Sequence, residues 1–127
     1  MKQLFKSKHI VSTPSIAGGV SGNESFKKFI NDSLTKHFCG DWGNTPKHSE
    51  EEKDKVDYPS DWQINDQALK DGSRIMSTFK FPQSIYGEKL GYYSTKITEK
   101  SKVWIITDAI DDNGLRLATT VLYPSEY

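Results

Sequence analysis

The run His37-Phe38-Cys39-Gly40-Asp41-Trp42-Gly43 sits at the centre of the chain's organisation. Upstream of it, Phe26, Phe29, Ile30, Leu34, His37 and Phe38 recur at three- and four-residue spacing, while Lys27, Lys28, Asp32 and Lys36 take the other face. That periodicity predicts an amphipathic helix. Asn23 is suited to cap its start, and Gly40 supplies the left-handed conformation that commonly ends a helix. The chain turns there, with an aromatic and a carboxylate held between two glycines, so a binding or chemical site is expected first at this turn.

Toward the N-terminus, residues 1–8 are basic and read as frayed. His9 to Thr13 alternate and are rich in β-branched residues, which predicts a short edge strand broken by Pro14. Ser15 to Gly22 can form one helical turn after Pro14, but Gly18, Gly19 and Gly22 weaken a helix there, and the segment reads as a connector. Toward the C-terminus, residues 44–59 form a charged insertion. Within residues 47–57, three lysines face five carboxylates, among them Glu50, Glu51 and Glu52, for a net charge of −2. The commoner meaning of such a run is a solvated loop; the functional one is an acidic docking segment.

Ser60 and Gln63 have the capping-box spacing, so a second helix is expected through Ile64, Ala68 and Leu69 to Gly72. The remainder is strand-like. Residues 75–81 alternate, and 90–97 follow as the second arm of a hairpin within an extension spanning 82–101. Val103 to Thr107 suit a central strand apolar on both faces. Asp111-Asp112-Asn113-Gly114 is a strong turn signal leading into a strand over Leu115 to Tyr123. The expectation is one α+β domain over residues 1–127: a small antiparallel sheet of about four to five strands with two helices on one face.

Composition narrows the function classes. Seventeen basic and seventeen acidic side chains cancel, which removes the footprint of a duplex-coating protein and that of an acidic nucleic-acid mimic. Cys39 stands alone, so no internal disulfide can form. No apolar run resembles a leader or a membrane span, and a cytoplasmic location is expected.

Four blocks together resemble a known group. They are Lys36 to Gly43; Asn65-Asp66-Gln67-Ala68-Leu69 with Gly72, Arg74 and Ser77; Trp104-Ile105-Ile106-Thr107; and Thr119-Thr120-Val121-Leu122-Tyr123-Pro124-Ser125-Glu126-Tyr127. The chain is similar to an uncharacterised family of small plasmid, conjugative-element and prophage proteins carrying these blocks in this order. Residues 44–57 and 82–101 are longer than in that pattern, and Asp108 stands where the pattern prefers Glu. The resemblance implies a mobile-element context and no activity.

The candidate residues each carry a structural alternative. His37 and Asp41 lack the further ligands a metal site needs, and His37 reads as a histidine near a helix C-terminus, where the dipole favours its cation. Asp41 is a turn former before it is a general base. Trp42 reads either as an outward anchor, forming with Trp62 one exposed aromatic patch of the kind that grips a partner, or as a ring folded back to close the helices over the sheet; the outward reading is the one the binding hypothesis rests on. Asp66 and Arg74 read as a pair fastening helix to sheet, and the terminal carboxylates as further partners for Arg74. Of Thr119 and Thr120, at most one can face a pocket. Cys39 reads as a buried thiol.

Three functions follow. The first is a non-enzymatic protein-binding factor of a mobile element, for example a counter-defence inhibitor of restriction or CRISPR machinery. It would act through Asp41, Trp42, Trp62, Asp66, Arg74 and Glu50 to Glu52, with no catalytic residue, metal or cofactor. The second is a small-ligand, nucleotide-binding or hydrolytic domain with Asp41, Asp66 and Arg74 converging in a pocket. The third is a nucleic-acid-binding accessory protein with the lysines of 1–8, 27–36 and 96–102 on one face.

Overall fold

The computed structural model describes residues 2–89 and 96–127. The α+β expectation holds. In chain order the elements are β1 (His9–Ser12), α1 (Pro14–Gly22), α2 (Glu24–Phe38), α3 (Asp61–Asp71), β2 (Ile75–Lys80), β3 (Lys102–Thr107) and β4 (Ala118–Leu122), with short 3₁₀ turns at Gln83–Ile85 and Pro124–Glu126. The four strands lie in the order β1-β4-β3-β2. β2, β3 and β4 run antiparallel, as expected, while β1 joins β4 in parallel and makes the sheet mixed.

The register sorts side chains between two faces. Ser77, Ile105 and Val121 stand in one row, flanked by Phe79 with Val103 and by Ile75 with Thr107 and Thr119. This inner face meets Ile16 of α1 and Phe26 and Ile30 of α2 in the main core. α3 closes the Ile75 end of the same face, where Ala68 and Ile75 pack on Trp42. No helix is long and apolar enough to cross a membrane among the described residues.

Three expectations are corrected. The glycine-rich segment is a nine-residue helix, α1. Pro14 presets its first turn, and burial of Ile16 together with the Ser15 hydroxyl bonded to Glu126 at 2.6 Å holds it despite its glycines. The N-terminal residues are not frayed: Leu4 N–H donates to Phe38 O at 2.8 Å, and the Phe5 ring packs edge-on to His37. β2 cannot form a hairpin with 90–97. It is bonded to β3 on one side and to the Asn44-Thr45 backbone and side chains on the other, and residues 90–95 lie outside the described residues.

The Asp111–Gly114 turn forms as anticipated, with Asp111 Oδ1 accepting from Asn113 and Leu115 N–H groups. The capping box at Ser60 and Gln63 is complete, and Gly72 ends α3 at φ 80°.

Candidate functional site

The glycine turn is built in three steps. Gly40, at φ 80°, donates to His37 O, and Asp41 N–H donates to Lys36 O at 2.9 Å. These two bonds form a Schellman stop and satisfy the last carbonyls of α2. Asp41 Oδ1 then accepts from Gly43 N–H at 3.0 Å, reversing the chain. Gly43, at φ 62°, lies against β2 so closely that a Cβ there would stand 2.4 Å from the Phe79 ring and 2.8 Å from Thr78 O. Only glycine fits.

Between them Trp42 turns inward, not outward. Its relative exposure is 0%, and its Nε1–H donates to Asp66 Oδ1 at 2.9 Å. The indole sits edge-on to His37 and beside Ala68 and Ile75. Trp62 is half-buried against the same cluster, with Lys47 Nζ 4.8 Å above its ring. The two tryptophans therefore join one core cluster and form no exposed patch. An indole costs less sealed among apolar neighbours with its one donor satisfied than left in water.

Asp66 is thus used on Trp42, and the expected Asp66–Arg74 pair is not made. Arg74 donates instead to the Tyr127 hydroxyl at 2.8 Å, with its guanidinium beside that ring. Glu126 does not meet Arg74 either. Its two oxygens accept from Thr13, Ser15 and the Tyr123 N–H. Burial works against ionisation there, but these donors prevail and hold Glu126 below the usual carboxylate range.

Asp41 lines a groove of about 610 Å³ beside α2, together with Lys28, Lys36 and Lys80. Asp41, Asp66 and Arg74 consequently face three different surroundings, and the common pocket required by the small-ligand reading is not formed. Glu50, Glu51 and Glu52 lie on an exposed loop, where Glu50 meets Lys53 and Glu52 meets His48, each at 3.7 Å. Cys39 is half-buried rather than buried.

His37 is fully buried and neutral, which overturns the cationic reading. Burial, reinforced by the nearby Arg116, lowers its pKa to about 3. Its partners fix its tautomer. Ser7 Oγ donates to the His9 carbonyl at 2.9 Å, so Thr119 must donate to Ser7 (2.7 Å) and Thr107 to Thr119 (2.7 Å). Thr107 can then only accept from His37, 2.9 Å away, so Nε2 carries the proton and Nδ1 accepts from Ser77. Of the two candidate threonines, Thr119 is the buried one.

Arg116 was not singled out from the sequence. Its guanidinium is buried and donates to the carbonyls of Ala68 (2.9 Å), Ser73 (2.7 Å) and Asp108 (2.9 Å), clamping the end of α3 to the β3–β4 connection. The signal available was one arginine between Leu115 and Leu117 just after a turn, a charge in an apolar run. Replacing Arg116 with methionine strands the Ser73 and Asp108 carbonyls, while Ala68 O keeps the Gly72 N–H, and is expected to cost about 3 kcal/mol, with Arg116→Lys losing about half as much, read from urea denaturation midpoints.

The chain matches no protein-family model, no curated protein and no solved structure.

The outer face of the sheet carries a second set of aromatic and apolar side chains. Met76, Ile106 and Thr120 form one row, and Thr78, Trp104 and Leu122 the next; Ile106 and Leu122 are buried, and the 3₁₀ turn at Pro124–Glu126 lies against β3. Trp104 and Met76 are half-buried, and Tyr127, 69% exposed, stands edge-on to Trp104 and bonded to Arg74. Lys80 and Lys102 pair at the end of the face. β3 was expected to be apolar on both faces, and among the described residues α1, α2 and α3 pack on one of them, while Ile106 on the other is buried as well. Among the described residues every buried side-chain nitrogen and oxygen has a partner, and no group of three or more potential metal ligands gathers.

Proposed function

We propose that the protein is a non-enzymatic binding factor of a mobile genetic element or phage, acting on a host defence component such as a restriction or CRISPR system by protein–protein contact. The observation that supports this most is the exposed pair Tyr127 and Arg74 beside the half-buried Trp104 on the outer face of the sheet. Its aromatic pair and the Arg74 guanidinium suit a protein partner with apolar and acidic side chains. The motif residues support the reading from the other side. His37, Trp42, Asp66 and Thr107 are consumed in holding the fold, which leaves them no chemistry to perform.

The test is phage plating and plasmid establishment in hosts carrying defined restriction or CRISPR systems. Expression of the protein is expected to raise establishment at least tenfold in one of them, and Arg74→Glu with Tyr127→Ala, both exposed, to abolish the gain without loss of fold by circular dichroism. No gain in any defended host would defeat the proposal.

A second reading, nucleic-acid binding, rests on a cleft of about 390 Å³ lined by Lys96, Lys100 and Lys102 around Phe81 and Tyr123. Filter binding to single strands with a steep salt dependence would favour it over the first.

A further inference from the structure

Backbone accounting separates the two edges of the sheet. On β2 the outward N–H groups of Met76, Thr78 and Lys80 donate to Asn65 Oδ1, Thr45 Oγ1 and Asn44 Oδ1 at 3.1, 2.9 and 2.8 Å. The outward carbonyls of Met76 and Thr78 accept from Asn65 Nδ2 and the Asn44 N–H, both at 2.7 Å. That edge offers nothing to a further strand.

β1 is built differently. His9 N–H donates to Leu117 O and Thr13 N–H to Val121 O, so His9, Val11 and Thr13 direct their backbone groups at β4. Alternation along the strand turns the N–H and C=O of Ile10 and Ser12 away from the sheet, and no described residue meets them. All four residues of β1 are exposed, Ile10 at 57% and Val11 at 46%. No proline or lysine lies within His9–Ser12 to blunt the edge.

We propose that β1 pairs antiparallel with β1 of a second copy about a two-fold axis at Val11, joining two four-stranded sheets into one. The outward groups select the register. With Ile10 opposite the second copy's Ser12, and Ser12 opposite its Ile10, every outward N–H and C=O of both strands is paired, and Val11 faces Val11 as the non-hydrogen-bonded pair between them. A shift in either direction leaves some of these groups unpaired. The contact is isologous, and a strand that satisfies itself so completely needs no foreign sequence. Charge agrees. Antiparallel pairing sets Lys8 of each copy opposite Pro14 of the other, at the strand end where Glu126 is anchored on Thr13 and Ser15.

The experiment uses the full chain. Sedimentation equilibrium over a micromolar to millimolar range is expected to show a reversible monomer–dimer equilibrium. Val11→Lys and Val11→Glu should each raise the dissociation constant at least tenfold, and an equimolar mixture of the two should recover dimers. In a Cys39→Ser background, Val11→Cys should form an intermolecular disulfide readily, because non-hydrogen-bonded pairs bring Cα atoms to about 4.5 Å. Ile10→Cys, which faces serine in this register, should not. A chain that stays monomeric throughout, leaving a strand of a different protein as the occupant, or Ile10→Cys crosslinking as fast as Val11→Cys, would overturn the proposal.

Discussion

Trp42→Ala is expected to lower the stability of the protein by about 4–5 kcal/mol, a large share of the 5–15 kcal/mol typical of a domain this size. Two terms add. The emptied volume lies against His37, Ala68 and Ile75, and α2, the glycine turn and the β2 edge enclose it. Gly43 is wedged on Phe79 and Thr78, so the backbone cannot collapse into it. Asp66 in addition loses the donor it receives at 2.9 Å. Trp42→Phe keeps a six-membered ring in the site while removing the N–H and the rest of the indole, so it leaves a smaller cavity and should cost about 1–3 kcal/mol. Urea denaturation with an unchanged m-value gives both numbers. A loss below about 1 kcal/mol for Trp42→Ala would mean that the indole is not an anchor of the fold.

That expectation also shows what could and could not be read from residue order. α2 and α3 were legible because their apolar spacing, the Asn23 and Ser60 caps and the Gly40 and Gly72 stops are local signals. The Asp111–Gly114 turn was legible for the same reason. α1 was not, because its stability comes from Ile16 in the core and from Glu126, over a hundred residues away. The direction of Trp42 was not legible either. Two flanking glycines announce that the backbone comes close to something, but not whether that something is a ligand or a strand. Here it is β2. The separated sequence blocks prove to be one construction: His37 bonds Thr107, Thr107 bonds Thr119, and Trp42 bonds Asp66. The candidate surface had the weakest signal, since Trp104 sits in an apolar strand run that reads as core on both faces.

The second large effect is on pH. His37 titrates near 6.5 in the unfolded chain, whereas in the fold burial and then Arg116 hold it to about 3. Between those values the unfolded state binds the extra proton and the native state does not. Stability should therefore be complete above about pH 6.5 and fall as pH drops toward 3, by roughly 4–5 kcal/mol over the whole interval. Glu126 and Asp71, whose pKa values are held below the ordinary carboxylate range, add a loss of the same sign, but only below about pH 4.5. The upper part of the interval thus isolates His37. From pH 6.5 to 4.5 the slope should approach one proton, about 1.4 kcal/mol per pH unit. His37→Gln should be less stable at pH 7, where it disturbs the hydrogen bonds to Ser77 and Thr107, yet its stability should be nearly flat over the same range. Denaturant unfolding at half-unit pH steps measures both slopes. Equal slopes in the two proteins would show that His37 is not the group that takes up the proton.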